Sequence, residues 1–142
     1  MQTAVEIVDE LNSAKVKLNV MATIDTLKYL KMGGRISALT AFAGEALGIK
    51  PVVAMIDGKI KMIDKARGLK RGSQLLMNIA SAKEIDFSKP HGYVWSGHDM
   101  TNIKNFAEDN TLFEKDQPFY IIGSTIGAHI GAGAVGFAFF EK

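Results

Sequence analysis

Residues 51–67 read PVVAMIDGKIKMIDKAR, and this stretch decides the fold class. Its centre, Asp57 followed by Gly58, favours a tight two-residue turn between paired strands. Ile60 and Met62 alternate with lysines after the turn, as in a strand with one face towards a core. The stretch therefore predicts a β-hairpin, which makes at least part of the sheet antiparallel.

The rest of the chain alternates helical and extended patterns around this hairpin. Apolar periodicity predicts helices over residues 3–13, 24–30, 36–47, 68–83 and 101–108. Short apolar runs predict strands over residues 17–23, 91–99, 118–126 and 135–142. Helices interspersed with a partly antiparallel sheet are typical of the α+β class, in which helices flank a mixed or antiparallel sheet.

Composition narrows the class of protein. A chain of 142 residues with 47% hydrophobic residues is long and apolar enough for one domain with a buried core. The sequence contains no cysteine, which excludes disulfides, thiolate metal sites and a cysteine nucleophile. No apolar run reaches the roughly 20 residues that span a bilayer, and the charged N-terminus does not resemble a signal peptide. A cytoplasmic protein is expected.

The stretch GAHIGAGAV, residues 127–135, places one imidazole, His129, among glycines in a predicted link between strands. Glycines let the backbone approach a ligand closely, and N–H groups in such loops favour anions. The histidine is therefore interpreted as a ligand-holding group, a general base or a core residue bonded to a carbonyl. The residues alone leave these alternatives open. No nucleophile or second acid–base group is recognisable beside His129, and no metal site is predicted.

Two further features are candidates for binding. Arg35 and Ser37 in GGRIS, residues 33–37, are predicted in the first turn of a helix, where a carboxylate or phosphate is favoured. Arg35 in a surface ion pair is the alternative. A cluster of basic residues covers the hairpin and the next helix start, and it predicts either a solvated face or a docking surface for an acidic partner. Its members are Lys59, Lys61, Lys65, Arg67, Lys70 and Arg71.

Three blocks together resemble a known family. They are LKYLKMGGRISA, then GEALGIKPVVAMIDGKIKMIDKARGLKRGSQLL, then IGAHIGAGAVGFAFF. Their order resembles the patterns LxYLxxGGRI, LxIKPILxxxDGxLxxxxKxRxxKKA and GxHxGPGAxG in the C-terminal half of DegV family proteins. The similarity runs from about Thr23 to Phe140, which is most of the chain.

The resemblance implies a non-catalytic protein that binds one long-chain fatty acid between two domains. In bacterial members similar to fatty acid kinase binding subunits, the acyl carboxylate is presented to a partner kinase. The kinase makes an acyl phosphate for phospholipid synthesis. The family histidine that holds the carboxylate corresponds to His129, with Gly131 and Gly133 in the same loop. Partner docking is expected at Arg35, Arg67 and Lys70, and no cofactor is expected.

The fatty acid tail needs a dry groove, because each buried methylene contributes roughly 0.8 kcal/mol. The predicted helix over residues 36–47 offers apolar and small side chains for such a groove, beside a head region formed by its first residues. The residues expected in the groove and head region are Arg35, Ile36, Ser37, Leu39, Phe42, Ala43 and Leu47.

Two departures from the family pattern affect these expectations. Ala132 stands where the family has proline, so the loop loses a residue that would fix its backbone. The family's N-terminal domain, which carries the hydroxyl partners of the carboxylate, has no counterpart in residues 1–142, so an expressed or proteolysed half is expected rather than a domain that functions alone. An isolated half would expose part of the apolar groove, and a second copy or a lipid is expected to cover it.

Two alternatives to fatty acid binding follow from the residues. In the first, the protein is a small-molecule enzyme that uses His129 as a general base. In the second, it is a non-catalytic interaction domain that docks through its basic hairpin. Recovery of bound lipid separates both from the leading hypothesis.

Overall fold

A computed structural model describes residues 1–35 and 48–142 of the chain, and these form five helices and six strands. The helices are α1 (Ala4–Lys15), α2 (Lys28–Met32), α3 (Leu69–Ser81), α4 (Thr101–Asp109) and α5 (Ser124–Ile130). The strands are β1 (Leu18–Thr23), β2 (Ile49–Ile56), β3 (Lys59–Arg67), β4 (Gly92–Trp95), β5 (Phe119–Ile121) and β6 (Val135–Phe140).

The strands form one sheet in the order β3-β2-β1-β6-β4-β5. All neighbouring pairs are antiparallel except β4 and β5, which are parallel. The predicted α+β class with a mixed sheet and flanking helices is therefore confirmed.

The hairpin over β2 and β3 is confirmed by its turn. Asp57 and Gly58 both have positive φ, at 52° and 70°, which is the backbone that a two-residue hairpin turn requires. A residue with a Cβ rarely adopts this conformation, and Asp is one of the few that does. The lysines of β3 lie on the outer edge of the sheet, where charge discourages pairing with another chain.

One face of the sheet carries large side chains, and we call it the aromatic face. Met21, Phe137 and Tyr93 stand side by side on β1, β6 and β4. Helices α3 and α4 cover them with Leu76, Ala80, Ile103 and Phe106. Among the residues that the structure describes, these side chains form the larger of two buried clusters, in which the ring centroids of Phe106 and Phe137 are 4.8 Å apart.

The opposite face carries small side chains, and we call it the small-residue face. One row across four strands consists of Val53, Ala22, Gly136 and Val94. A second row consists of Val20, Ala138 and Gly92. At one end of this face, Leu30 of α2 and Ile130 of α5 complete a smaller buried cluster. The two faces of the same strands therefore differ sharply in side-chain volume.

The segment before β6 differs from the prediction. The predicted strand over residues 118–126 ends at Ile121, and Ser124–Ile130 is helical. His129 is therefore on a helix and not in a glycine-rich link. The glycines concealed this helix, although Ile126 and Ile130 have its i, i+4 spacing and Ile130 is buried.

The second helix begins later than the predicted range of residues 24–30. Helix α2 begins at Lys28, and the Thr26 hydroxyl accepts a hydrogen bond from the Lys28 N–H at 3.3 Å. Asp25 instead accepts from the Lys50 ammonium at 2.8 Å, and Thr23 is fully buried in β1. The ion pair between Asp25 and Lys50 therefore connects the loop between β1 and α2 to the start of β2.

Helix α1 and strand β5 both carry exposed apolar side chains. Helix α1 buries none of its residues, and the apolar side chains of Val5, Val8 and Leu11 are exposed. Strand β5 exposes Phe119, Tyr120 and Ile121 at the edge opposite the lysines. The expectation that a second copy covers an apolar groove stays a prediction.

Candidate functional site

The sequence motifs meet at one end of the sheet. Thr23, the last residue of β1, pairs with Val135, the first residue of β6, and Val135 also pairs with Trp95 at the end of β4. Consequently α2 and the GGR turn, the segment after β4, and α5 with its following loop all lie at this end. Antiparallel pairing thus brings residues 24–35 next to residues 124–134.

His129 packs directly against the GGR turn. A Cβ built on Gly33 would collide with His129 Nδ1 and lie 3.1 Å from its Cε1. The ring is half-buried, and Nδ1 itself is shielded from solvent. Among residues 1–35 and 48–142, no group hydrogen-bonds to this nitrogen. The absence of a side chain at Gly33 therefore creates the space that the imidazole occupies.

This environment bears on the tautomer of His129. A proton on Nδ1 would be a buried donor without an acceptor among the described residues, which costs free energy. A proton on Nε2 leaves Nδ1 as an acceptor and makes Nε2 the hydrogen-bond donor of the ring. The contact with Gly33 thus favours a ring that offers an N–H from its other side.

A second contact joins the same two segments. Gly131 has a φ of 76°, and a Cβ built on it would collide with the Tyr29 ring and lie 2.7 Å from its Cε2. Tyr29 is in α2, and Gly33 follows its last residue. His129 is in the last turn of α5, and Gly131 follows its last residue. Because neither glycine has a side chain, the C-terminal ends of the two helices pack closely against each other.

Residues 131–134, which we call the glycine loop, are held by Ser96. The Ser96 hydroxyl donates to the Gly131 carbonyl at 2.6 Å and accepts from the Ala134 N–H at 3.1 Å. The Ser96 carbonyl accepts from the Gly133 N–H at 2.9 Å, and the Ser96 N–H donates to the Ala134 carbonyl at 3.1 Å. Four hydrogen bonds from one residue thus bracket the loop.

These bonds determine which loop donors are free. The Gly131 N–H donates to the Gly127 carbonyl at 2.8 Å, and the Gly133 N–H is used by Ser96. The N–H of Ala132 has no partner among the described residues. That donor would not exist if residue 132 were proline. Carboxylate contacts by Gly131 and Gly133 stay predictions.

Polar groups support the underside of the glycine loop. Asn102 at the start of α4 donates to the Gly133 carbonyl at 3.4 Å. A Cβ built on Gly133, whose φ is 88°, would lie 3.2 Å from the Asp25 Cβ. Helix α4 is oriented by Asp99, whose carboxylate accepts from the Thr101 hydroxyl and N–H, and these bonds lower the pKa of Asp99.

The remaining predicted site residues are three basic residues and the residues of the predicted groove and head region. Arg35 is exposed, and its guanidinium donates to the Gly33 carbonyl at 2.6 Å. Arg67 and Lys70 are exposed, and the Lys70 ammonium lies 4.0 Å from the Asp109 carboxylate. Six predicted groove and head residues lie outside the described residues: Ile36, Ser37, Leu39, Phe42, Ala43 and Leu47.

Strand positions separate Arg67 from His129. Arg67 pairs with Ile49 at the same end of the sheet, but on β3, which lies three strands away from β6. At about 4.8 Å per strand, that separation is about 14 Å. Arg67 is therefore at the rim of this end of the sheet.

Ser96 and Tyr29 were not predicted as site residues. Tyr29 lies in the YLKMGGR block, so its neighbourhood was recognised but its contact with Gly131 was not. Ser96 follows an ordinary buried strand, and nothing in the local sequence distinguishes it from other serines.

Across the described parts of the chain, no three His, Asp or Glu side chains come together as metal ligands. No helix in those parts is long and apolar enough to cross a membrane.

Comparison with known proteins adds to this geometry. The sequence model described as "Uncharacterised protein, DegV family" matches residues 2–142. A DegV domain-containing protein from Clostridium acetobutylicum is 34% identical over 142 residues, which cover 96% of this chain and 50% of that protein. One from Caldanaerobacter subterraneus is 30% identical and is likewise half covered. The chain thus spans about half the length of these relatives.

Solved structures agree with the sheet and helix arrangement. A fatty acid binding DegV family protein from Streptococcus agalactiae is 28% identical, with a TM-score of 0.71 over 100% of this chain and 50% of that one. A DegV family protein from Thermus thermophilus, described as fatty acid binding, has a TM-score of 0.78 at 23% identity over 99% of this chain and 51% of that one, and it shows the shared fold. The chain belongs to the DegV family.

Proposed function

We propose that the protein binds one long-chain fatty acid, with its carboxylate at His129 and its tail along the small-residue face. The main support for this proposal is the position of His129 at the end of that face, where its Nδ1 is buried against Gly33. This arrangement directs the hydrogen-bonding capacity of the ring through Nε2. A carboxylate is an acceptor with two oxygens, so it fits a single fixed N–H donor.

The small-residue face supports the position of the tail. Helices pack about 10 Å from a sheet, so small sheet residues leave volume that large side chains fill on the aromatic face. On the small-residue face the row from Val53 to Val94 contains only valine, alanine and glycine. An acyl chain that fills such space gains roughly 0.8 kcal/mol per buried methylene.

The loop next to His129 supports the position of the head group. The N–H of Ala132, an exposed residue, adds a donor within three residues of the ring. Fixed N–H donors of this kind favour an anion. Solved DegV relatives are described as fatty acid binding proteins, which agrees with this choice of ligand.

A non-catalytic role fits the surroundings of His129. A histidine that acts as a general base is normally oriented by a carboxylate or carbonyl on its second nitrogen. No such partner for Nδ1 exists among the described residues. We therefore favour fatty acid binding over an enzyme that uses His129 as a base.

The first experiment is recovery of the ligand. The protein expressed from its complete gene is extracted with organic solvent, and the extract is analysed by mass spectrometry. We expect a fatty acid in a fixed ratio to protein. Folded protein that yields no fatty acid, and that binds neither palmitate nor oleate by calorimetry, would exclude the proposal.

His129→Ala should weaken the binding of palmitate or oleate about tenfold, because one hydrogen bond to a charged group is lost. The affinity is measured by calorimetry with purified, delipidated protein. His91→Ala is the matched control, because His91 precedes Gly92 and lies at the opposite end of β4. Equal affinities for the His129→Ala variant and the wild type would remove His129 from the binding site.

We also propose that the protein presents the bound fatty acid to a partner fatty acid kinase in the cytoplasm, for acyl-phosphate formation and phospholipid synthesis. Arg35, Arg67 and Lys70 are exposed at the end of the sheet that carries His129, where an acidic partner surface would meet them. Docking next to the head group would leave the carboxylate within reach of a second protein.

Arg67→Glu should reduce acyl-phosphate formation by the kinase at least about fivefold, because charge reversal at an interface rim opposes association. Its fatty acid affinity should stay unchanged, because Arg67 is distant from the glycine loop. Lys89→Glu, an exposed reversal beside the start of β4, is the control. Acyl-phosphate formation that is equally impaired by both reversals would argue against a specific docking surface.

A further inference from the structure

The side chain of Ser96 is almost completely enclosed. The residue is 2% exposed, and its hydroxyl is both a donor, to Gly131, and an acceptor, from Ala134. A serine hydroxyl has one hydrogen to donate, so the donor capacity is fully used. The residue immediately follows β4, which is rigidly paired on both sides. Ser96 therefore connects a fixed strand to the glycine loop.

We propose that Ser96 is a positioning residue for ligand binding: it fixes the glycine loop and thereby the last turn of α5, which carries His129. This role rests on the proposed fatty acid binding. Ser96 is not itself a ligand contact, because its hydroxyl is buried and already occupied by the loop.

The path from Ser96 to His129 is short. Gly131 ends α5, with a φ of 76° and its N–H bonded to the Gly127 carbonyl. The Ser96 hydroxyl holds the carbonyl of this same residue. Holding Gly131 therefore fixes the final turn of the helix, and His129 is two residues earlier in that turn.

The glycine loop needs hydrogen bonds from outside the loop to fix its conformation. Gly131 and Gly133 both have positive φ, and glycine loses more conformational freedom on ordering than any other residue. The four hydrogen bonds from Ser96 compensate for that loss. Two of them come from the side chain, so they can be removed without altering the backbone of the strand.

Ser96→Ala removes those two hydrogen bonds and little volume. Ser73→Ala is the matched control, because Ser73 is also buried and its hydroxyl donates to the Leu69 carbonyl at 3.0 Å within α3. Both substitutions delete one buried hydroxyl, but only the first loosens the glycine loop. If Ser96→Ala does not fold, Ser96→Cys replaces it, since a thiol nearly preserves the shape and is a weak donor.

The decisive measurement is a double-mutant cycle of Ser96→Ala with His129→Ala, read as oleate affinity by calorimetry. We expect Ser96→Ala to weaken binding about five- to tenfold in the wild type and less than about twofold in the His129→Ala variant. Ser73→Ala should leave the affinity unchanged. An equal effect of Ser96→Ala in both backgrounds, or no effect in either, would overturn the positioning role.

A second readout separates this inference from the proposed function. Amide hydrogen exchange of Ala134 and the imidazole NMR signals of His129 are followed in the ligand-free protein. Ser96→Ala should accelerate the exchange and shift the signals, whereas Ser73→Ala should change neither. If wild-type protein binds no fatty acid, these changes still support loop positioning and the proposed function fails alone. Unchanged exchange and signals would overturn the positioning by Ser96.

Discussion

Gly136→Ala should destabilise the folded protein by at least about 3 kcal/mol, because the new methyl group cannot be accommodated. A Cβ built on Gly136 would collide with the Met21 carbonyl oxygen and lie 2.6 Å from the Ala22 Cα. Both atoms belong to the backbone of β1, which is paired on both sides. Backbone in the middle of a sheet cannot move aside without breaking hydrogen bonds of the ladder.

Urea denaturation followed by circular dichroism tests this prediction. Gly127→Ala is the control from the same glycine-rich stretch, because the nearest heavy atom to its added Cβ is 3.7 Å away and the residue is inside α5. Alanine in a helix is favoured over glycine by roughly 0.5–1 kcal/mol, so this control should be slightly more stable than the wild type. A Gly136→Ala protein with wild-type stability would contradict the close approach of β1 and β6.

The requirement at Gly136 also concerns ligand binding. Gly136 lies in the row of small residues between Ala22 and Val94. Its missing side chain thus serves two purposes, since it allows the close strand contact and keeps the small-residue face shallow. The close contact between Gly136 and the backbone of β1 therefore also keeps the small-residue face free of a large side chain at this position.

The sequence predicted the parts of the fold that depend on local chemistry. The turn at Asp57 and Gly58 needs two positive φ angles, and few residue pairs supply them, so the hairpin was recognisable. The difference between the two faces was not predicted, although Gly136 and Ala138 alternate with Phe137 and Phe139 in β6. Helix α5 was missed because Gly127 is a poor helix former, and its helix is stabilised by burial of Ile130.

The candidate site was predictable to the extent that residue type indicates function. His129 was identified because an imidazole among glycines is unusual, and the GGR turn because an arginine at the predicted start of a helix favours an anion. Their contact was not predictable, since it depends on the pairing of β1 with β6 and on the packing of α2 against α5. Ser96 shows the limit most clearly, because its importance lies in the two partners that it contacts and not in its local sequence.

Gly33→Ala should displace the His129 ring, and we expect losses of about 2 kcal/mol in stability and about tenfold in fatty acid affinity. The backbone at Gly33 has a φ of −81° and a ψ of 0°, which alanine adopts readily. The cost therefore comes from the methyl group, which would collide with His129 Nδ1 and lie 3.2 Å from the Tyr29 carbonyl oxygen. The ring must rotate or withdraw, and Nε2 then loses its position.

The neighbouring glycine provides the control for this last prediction. A Cβ built on Gly34 would meet nothing within 4 Å, but its φ of 68° is unfavourable for alanine. Gly34→Ala should thus cost about 1–2 kcal/mol in stability through backbone strain alone and leave fatty acid affinity unchanged. In the His129→Ala variant the collision at Gly33 disappears, so most of the stability cost of Gly33→Ala should disappear with it. If the cost instead persists in full, Gly33 acts through the Tyr29 carbonyl, and the enclosure of the imidazole by this turn is refuted.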